Sequence, residues 1–145
     1  MRVDFYQLGG AQRDGIIASI AGKLIEEQQR LLIVAADDGQ LARLDRQLWD
    51  QGAASFIPHG LAGGSADQSQ PILLSTGTDA PNLARNFLIA DGEWRDAALG
   101  YDRAFYLFDT DTLEEARLAW KLLAGREGVE RNYWAQADGK WTKQA

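Results

Sequence analysis

The stretch Leu31-Leu32-Ile33-Val34-Ala35-Ala36-Asp37-Asp38-Gly39 indicates the fold of this chain. Six apolar residues in an unbroken run are typical of a strand that is buried on both faces, as strands of a parallel sheet are. The aspartates that follow can cap the next helix, because a side-chain oxygen there accepts from free backbone amides. Residues 12–29 and 39–50, on either side of the run, carry apolar side chains at helical spacing. The stretch therefore predicts a helix–strand–helix unit in a parallel sheet.

The other apolar runs continue this alternation along the chain. Further strands are predicted at residues 3–8, 55–58, 72–75, 87–89 and 104–108, with a terminal strand or hairpin at 132–141. Further helices are predicted at residues 93–99 and 112–124, the second opened by a capping box of Thr112 and Glu115. Residues 60–70 are rich in glycine and polar side chains, which predicts a loop. The order predicts the α/β class, with a Rossmann-like, mostly parallel sheet and helices on both faces.

Composition bounds the class of protein. The chain has 145 residues, of which 46% are hydrophobic and 25% charged, so residues 1–145 are expected to form one domain. It contains no cysteine, which excludes disulfides and a thiol nucleophile. Neither a signal peptide nor an apolar stretch of about 20 residues is visible, so a cytoplasmic location without membrane contact is expected.

The net charge of −6 is unevenly distributed. Residues 112–145 hold six basic and five acidic side chains, so this part is the one expected to attract an anion. Direct binding of nucleic acid, for instance of single-stranded DNA through the tryptophans, is not expected, because phosphate contacts need clustered Lys and Arg. A local site for an acidic peptide is compatible with this charge.

Four aspartates offer an enzyme alternative. Asp37 and Asp38 follow one predicted strand, and Asp109 and Asp111 follow another. Carboxylates at strand carboxyl ends are where an open α/β sheet holds Mg²⁺ or a nucleotide, so a Mg²⁺-dependent phosphohydrolase or nucleotide binder is one hypothesis. The competing interpretation is that these aspartates cap the helices that follow them.

Other catalytic signals are weak. His59 is the single histidine of the chain, and neither a Ser-His-Asp order nor a metal-ligand spacing surrounds it, so a structural or surface role is expected. Gly9-Gly10 lacks both the G-x-G-x-x-G spacing and a Walker lysine, which favours a plain turn.

The predicted helix from Thr112 carries a possible binding edge. At 100° per residue, Arg117 and Lys121 lie side by side, and Trp120 falls between them and the core face. Cations beside a large ring can hold an acidic peptide that contains an aromatic residue. The alternative is a buried Trp120 beside solvated cations.

A second candidate surface surrounds the turn at Gly52. Trp49 and Phe56 flank this turn, and Pro58 and His59 follow. Two large rings near a turn predict an exposed apolar patch of the kind found at protein interfaces. The alternative is that both rings belong to the core.

The residues around these surfaces resemble a known family. Arg43-Leu44-Asp45-Arg46-Gln47-Leu48-Trp49, followed by Ser55-Phe56-Ile57-Pro58-His59-Gly60-Leu61-Ala62-Gly63, resembles the chi subunit of bacterial DNA polymerase III. The later Ala116-Arg117-x-x-Trp120-Lys121 and Tyr133-Trp134-x-Gln136 fit the same family, as does the opening Phe5-Tyr6-x-Leu8. The resemblance covers essentially the whole chain.

This resemblance implies a Rossmann-like, non-catalytic accessory subunit of the clamp loader that needs no cofactor and no metal. Such subunits hold the acidic, Phe-terminated tail of single-stranded DNA-binding protein. Carried over to this sequence, the tail-binding residues are Arg117, Trp120 and Lys121, with Leu113 and Tyr106 as further members. Trp120 stands where the family often has a tyrosine, which keeps the ring and loses the hydroxyl.

The same resemblance assigns the second surface to another protein. Trp49, Phe56, Pro58 and His59 would face the psi subunit, which bridges chi to the clamp loader, or in its absence another clamp-loader or helicase partner. The loop from Gly64 to Gln70 has no basic residue where family members can carry one.

Overall fold

The apolar run at residue 31 becomes a strand whose four residues are fully buried. In the computed structural model, which describes residues 1–9, 12–50, 56–137 and 139–145, it lies within a sheet of eight strands. The strands are β1 (Arg2–Gln7), β2 (Leu31–Val34), β3 (His59–Leu61), β4 (Ile72–Ser75), β5 (Asn86–Ile89), β6 (Arg103–Phe108), β7 (Glu130–Ala137) and β8 (Lys140–Lys143).

The strands are arranged in the order β3-β4-β2-β5-β6-β1-β7-β8. All neighbouring pairs are parallel except β7 and β8, which form an antiparallel hairpin. The predicted single α/β domain with a mostly parallel sheet is therefore confirmed in its fold class. In the predicted hairpin turn, Gly139 adopts a φ of +78°, a backbone conformation that suits glycine. The other predicted turn residue, Asp138, lies outside the described residues.

Three helices cover the sheet: α1 (Gln12–Glu26), α2 (Asp38–Trp49) and α3 (Leu113–Ala124). Ile17 of α1 and Leu44 of α2 belong to one core cluster with Ile33 of β2, whereas Ala119 of α3 belongs to the other with Val34. Alternate residues of β2 thus point to opposite faces, and both faces are covered, as predicted.

The start of α2 confirms the predicted cap for Asp37, whereas Asp38 is the first residue of the helix. Asp37 caps this helix, since its carboxylate accepts a hydrogen bond from the amide of Gly39 at 3.1 Å. A cap of this kind stabilises a helix by about 1 kcal/mol. Leu41, Leu44 and Leu48 form the buried face that the spacing predicts.

The third strand differs from its prediction. Residues 56–58 lie outside any strand, and β3 instead spans His59–Leu61, within a region partly expected to be a loop. Pro58 has no amide proton and so cannot donate to a strand ladder, which explains why pairing begins only after it. Ser55 and the Gly52 turn lie outside the described residues.

Two helix predictions were wrong in their extent. Helix α1 ends at Glu26 rather than at residue 29, because Gln28 adopts a left-handed backbone with φ of +58°. The helix expected at residues 93–99 is a short 3-10 segment, Asp96–Gly100.

The predicted capping box of Thr112 and Glu115 was also wrong. Thr112 does pair in a capping box, but with Asp109: their side chains accept reciprocally from each other's amides at 3.0 and 3.2 Å. Glu115 instead accepts from the amide of Trp94, 21 residues earlier, at 3.0 Å. The carboxylate of Glu115, which the sequence pattern assigned to the cap of α3, therefore binds a loop that is distant in sequence. None of the helices described is long and apolar enough to cross a membrane.

Candidate functional site

Helix α3 packs on the sheet through the face that its periodicity predicts. Ala116, Ala119 and Leu123 are buried in the core cluster that also contains Phe5 of β1 and Tyr106 of β6. Two of these three helix residues are alanines, so the helix can approach the sheet closely, and larger side chains on its edge then meet the neighbouring strands.

A cleft of about 300 Å³ opens along that edge, between α3 and the strands β1, β6 and β7; it is called the α3 cleft below. It is lined by Gln7, Phe108, Leu113, Ala116, Arg117, Trp120, Lys121, Tyr133, Gln144 and Ala145. Its floor is apolar and aromatic, and two cations stand at its rim. This volume lies at the small end of protein ligand pockets and fits one large side chain with its flanking backbone.

Trp120 forms one wall of the α3 cleft and is half-buried rather than sealed in the core. Its ring meets Phe5 and Tyr133 edge to face, with centroids 5.1 and 5.8 Å apart. The guanidinium of Arg131 lies 4.0 Å from the ring centre and donates to the backbone oxygen of Trp120 at 2.7 Å. These contacts fix the indole in one orientation before any ligand arrives.

The two predicted cations are available to a ligand. The side chain of Arg117 is 64% exposed, and its ion pair with Glu114 at 3.2 Å is itself exposed and so contributes little. Lys121 is exposed one turn further along the helix. Burial raises the pKa of Tyr133 in the cleft, and the positive charge of Arg117 acts in the opposite direction. The positive charge of Arg117 therefore acts on Tyr133 inside the cleft.

Four of the five residues predicted for this site line the cleft, and one does not. Arg117, Trp120 and Lys121 line the cleft together, and Leu113 joins them from the first turn of α3. Tyr106 does not: it is fully buried, and its hydroxyl donates to the backbone oxygen of Gly92 at 2.7 Å. Its assignment to the binding surface was wrong, because it packs under α3.

Arg131 and Tyr133 also contact Trp120 at this site, and neither was predicted from the sequence. Both lie on β7, which the parallel register with β1 brings beside α3. The hydroxyl of Tyr133 donates to the side-chain oxygen of Gln7, so this ring is also held in place. The sequence carried a partial signal, because Tyr133-Trp134-x-Gln136 was part of the family pattern, but nothing local connected it to α3.

The second predicted surface is exposed and aromatic; it consists of Trp49 and Phe56 and is called the Trp49 patch. The side chains are 53% and 60% exposed, and their ring centroids are 5.6 Å apart. The prediction of an exposed aromatic pair is confirmed. Leu61 on β3 is also a large exposed side chain, at 45%, and it was not singled out from the sequence.

His59 lies beneath this patch rather than on it. It is buried, with Nδ1 2.7 Å from the backbone oxygen of Ile57 and Nε2 3.0 Å from the carboxylate of Asp45. The ring centroid of Trp49 lies 4.7 Å from that of the imidazole. His59 therefore supports the indole and has no free surface, so its expected direct contact with a partner was wrong. Pro58 is half-buried.

The aspartates of the enzyme hypothesis are not brought together. Asp37 and Asp109 both cap helical turns, and Asp109 also pairs with Arg13 at 2.8 Å. A polar cleft at this edge of the sheet contains Asp109 but not Asp37, Asp38 or Asp111. Strand β5 separates β2 from β6, which places the two pairs roughly 10 Å apart. Within the described ranges no three carboxylate or imidazole side chains are grouped as a metal site.

The α3 cleft and the Trp49 patch lie at different parts of the sheet. The patch combines Trp49, the last residue of α2, with Phe56, which precedes the edge strand β3, whereas the cleft lies over β1 and β7 toward the other edge. The class defined by this fold and these surfaces is an α/β protein with two separate exposed aromatic surfaces, one of them cationic.

Comparison with known proteins identifies the family. The family model described as "DNA polymerase III chi subunit, HolC" matches residues 1–130. The chain belongs to this family, whose members are accessory subunits of the replication polymerase.

Two relatives carry the same name, "DNA polymerase III subunit chi". The protein from Escherichia coli is 32% identical over 75 residues, 52% of this chain and 51% of the relative. The protein from Pseudomonas aeruginosa is 33% identical over 91 residues, 61% of this chain and 62% of the relative. The matched segments thus span between half and two thirds of each relative.

Proposed function

We propose that the α3 cleft binds the acidic C-terminal tail of single-stranded DNA-binding protein and that the chain links this protein to the clamp loader of DNA polymerase III. The observation that supports this proposal is the pair of exposed cations, Arg117 and Lys121, at the rim of an apolar cleft walled by Trp120. An acidic chain end with a terminal phenylalanine has the complementary chemistry on both counts.

Each wall of the cleft has a separate role in this proposal. The guanidinium of Arg117 and the ammonium of Lys121 pair with tail carboxylates, and such charge-assisted bonds are the stronger class of hydrogen bond. Leu113 and Trp120, which are partly exposed, contact the terminal phenyl ring above the buried Phe108, and burial of that ring contributes the hydrophobic part of the affinity. Because the indole is already fixed, little side-chain freedom is lost on binding.

The Trp49 patch serves a second protein in the same proposal. Trp49 and Phe56 are large apolar rings that are more than half exposed, and such rings are frequent anchors of protein interfaces. We assign the patch to the psi subunit or to another clamp-loader or helicase partner. Since the two surfaces lie over different strands, both partners can bind at once.

The tail assignment is tested by calorimetric titration with a peptide matching the last residues of the host single-stranded DNA-binding protein. Binding is expected in the micromolar range, and Arg117→Ala should weaken it strongly. Arg126→Ala is the matched control, because it removes the same charge from an exposed position just beyond α3 that does not line the cleft. Unchanged affinity in Arg117→Ala, or equal losses in both variants, would contradict the assignment.

A further inference from the structure

A second aromatic groove lies on the opposite face of the sheet from α3, between α1 and the β7–β8 hairpin; it is called the α1 groove. It has a volume of about 190 Å³. The residues that matter here are Tyr6, Lys23, Arg103, Phe105, Trp134 and Trp141. Neither the tail site nor the Trp49 patch uses any of them.

The rings of the α1 groove form a fixed stacking platform. Tyr6 and Trp134 are nearly parallel, with an angle of 12° and centroids 6.2 Å apart, and Trp141 meets Tyr6 edge to face at 5.3 Å. The indole nitrogen of Trp134 donates to Asp4 at 3.1 Å, which holds the ring in place. All three aromatic side chains remain partly exposed.

The buried carboxylate of Asp4 contributes no free negative charge to this groove. Its second oxygen accepts from Arg103 at 2.9 Å and from Arg2 at 3.0 Å, while Asn132 donates to the first at 3.0 Å. Burial opposes ionisation of Asp4, but the hydrogen bonds from Trp134 and Asn132 and the charges of both arginines leave its pKa below the usual range. Asp4 is therefore a paired anchor for the platform.

Cations stand beside the rings. Lys23 of α1 is exposed on one wall of the groove, and Arg103 stacks 4.3 Å from the ring centre of Phe105. Lys143 is the register partner of Trp134 across the hairpin, so it lies on the same face. Glu27 also lines the groove and offsets one of these charges, and Asp4 already pairs with Arg103.

We propose that the α1 groove binds one or two bases of a single-stranded nucleic acid. Exposed aromatic faces accept unpaired bases of any sequence, and neighbouring Lys or Arg side chains hold the phosphates. Lys23 lines the groove from α1, and Lys143 lies beside Trp134 on β8, so both are available to the phosphates next to a stacked base. The predicted ligand is a nucleobase with its phosphates rather than an acidic peptide, because stacked rings cover the floor.

The net charge of −6 led to the expectation that the chain does not bind nucleic acid directly, and the proposed groove departs from that expectation. Net charge governs the long-range attraction of a protein to DNA, whereas the contacts of a bound base depend on the groove itself. The isolated protein is therefore expected to bind weakly. If the tail proposal is also correct, docking on single-stranded DNA-binding protein raises the local concentration of DNA and makes a weak site sufficient.

The two sites are compatible because successive strand residues point to opposite faces. Phe5 and Tyr133 contact Trp120 at the α3 cleft, whereas their neighbours Tyr6 and Trp134 form the α1 groove. A peptide on one face and a nucleotide on the other therefore do not exclude each other.

The test is an anisotropy titration of the whole chain against a labelled oligothymidylate of about 15 nucleotides at low salt. Trp141→Ala is expected to weaken binding roughly tenfold, as loss of one stacking ring does. Lys143→Glu should weaken it severalfold. Lys140→Glu is the matched control, since Lys140 lies on the same strand with its side chain on the other face and carries the same charge.

The outcomes separate this proposal from the tail proposal. Preserved tail-peptide affinity in Trp141→Ala and Lys143→Glu, together with their weakened oligonucleotide binding, supports the α1 groove. Absence of oligonucleotide binding by the unmodified chain overturns it, as do equal losses in Lys143→Glu and Lys140→Glu. Loss of tail-peptide binding in both groove variants, with the fold intact by circular dichroism, would instead show a peptide site here and overturn the nucleic-acid assignment.

Discussion

The α3 cleft and the Trp49 patch each present one tryptophan to solvent, but a different side chain supports each ring. Arg131 lies 4.0 Å from the ring centre of Trp120, whereas the imidazole of His59 lies 4.7 Å from that of Trp49. The cleft adds Arg117 at its rim, and its ligand therefore has to match charge as well as shape. The patch offers mainly apolar area. The two surfaces therefore differ in the chemistry of the ligand that each could hold.

Replacing the central ring of the patch should have the largest effect. Trp49→Ala removes an exposed indole of the kind that dominates interface energies, so affinity for the psi subunit or equivalent partner should fall by about 2–4 kcal/mol, roughly 30-fold or more. Calorimetry with that partner measures the loss. The melting temperature and tail affinity should change little, and a partner that binds Trp49→Ala as before would remove the patch from the interface.

Loss of the guanidinium of Arg117 at the α3 cleft should have the second-largest effect on affinity. Arg117→Ala is expected to weaken tail-peptide binding by about 1.5–3 kcal/mol, because a hydrogen bond to a charged group is lost. Arg117→Lys should recover part of this affinity, since it restores the charge but not the planar fork. If Arg117→Ala lost affinity for the partner of the Trp49 patch to the same degree, the two surfaces would not be functionally separate.

Salt should separate the two surfaces without any mutation. Raising ionic strength from about 0.05 to 0.5 M shortens the screening length to a few ångströms, so tail binding through exposed Arg117 and Lys121 should weaken severalfold. The affinity of the partner that binds Trp49 and Phe56 should stay constant or rise, because salt does not screen the burial of apolar surface. Parallel titrations at both salt concentrations provide the measurement; equal salt dependence would contradict the comparison.

The support of Trp120 should give the smallest effect. Arg131→Ala removes a cation from the indole face, an interaction of about 0.5–2 kcal/mol, so the ring loses its fixed orientation and tail affinity falls a few fold. Arg131→Lys should retain part of it. The near-ultraviolet circular dichroism of the tryptophans reports the loosened ring; an unchanged spectrum with unchanged affinity would show that Phe5 and Tyr133 suffice to hold it.

The features predictable from sequence are those that depend on neighbours along the chain. The buried strand at Leu31, the Asp37 cap and the shared rim position of Arg117 and Lys121 each follow from periodicity or from a contact two to four residues away. The exposed pair of Trp49 and Phe56 was predictable only as one of two alternatives, because the pattern could not distinguish a patch from a core.

The errors have the opposite origin, since long-range contacts decided them. Glu115 accepts a hydrogen bond from the amide of Trp94 instead of capping α3. His59 is buried because Asp45 on the preceding helix pairs with it. Tyr106 faces α3 as the alternation of β6 allows, but the close packing of the helix above it excludes solvent. Arg131 reaches the cleft only through the register of β7 with β1. No spacing within the sequence encodes such pairings.

The position of β1 has a consequence for how the chain folds. This strand is synthesised before the other seven strands of the sheet, yet its two neighbours are β6 and β7, which begin about a hundred or more residues later at Arg103 and Glu130. Closing such long loops before any contact forms makes folding slow. Residues 2–7 therefore lack their sheet partners until β6 has been synthesised. The strand that lies between the α3 cleft and the α1 groove is thus among the last to lose its exposed edges, and a nascent chain stalled before residue 103 offers those edges to chaperones.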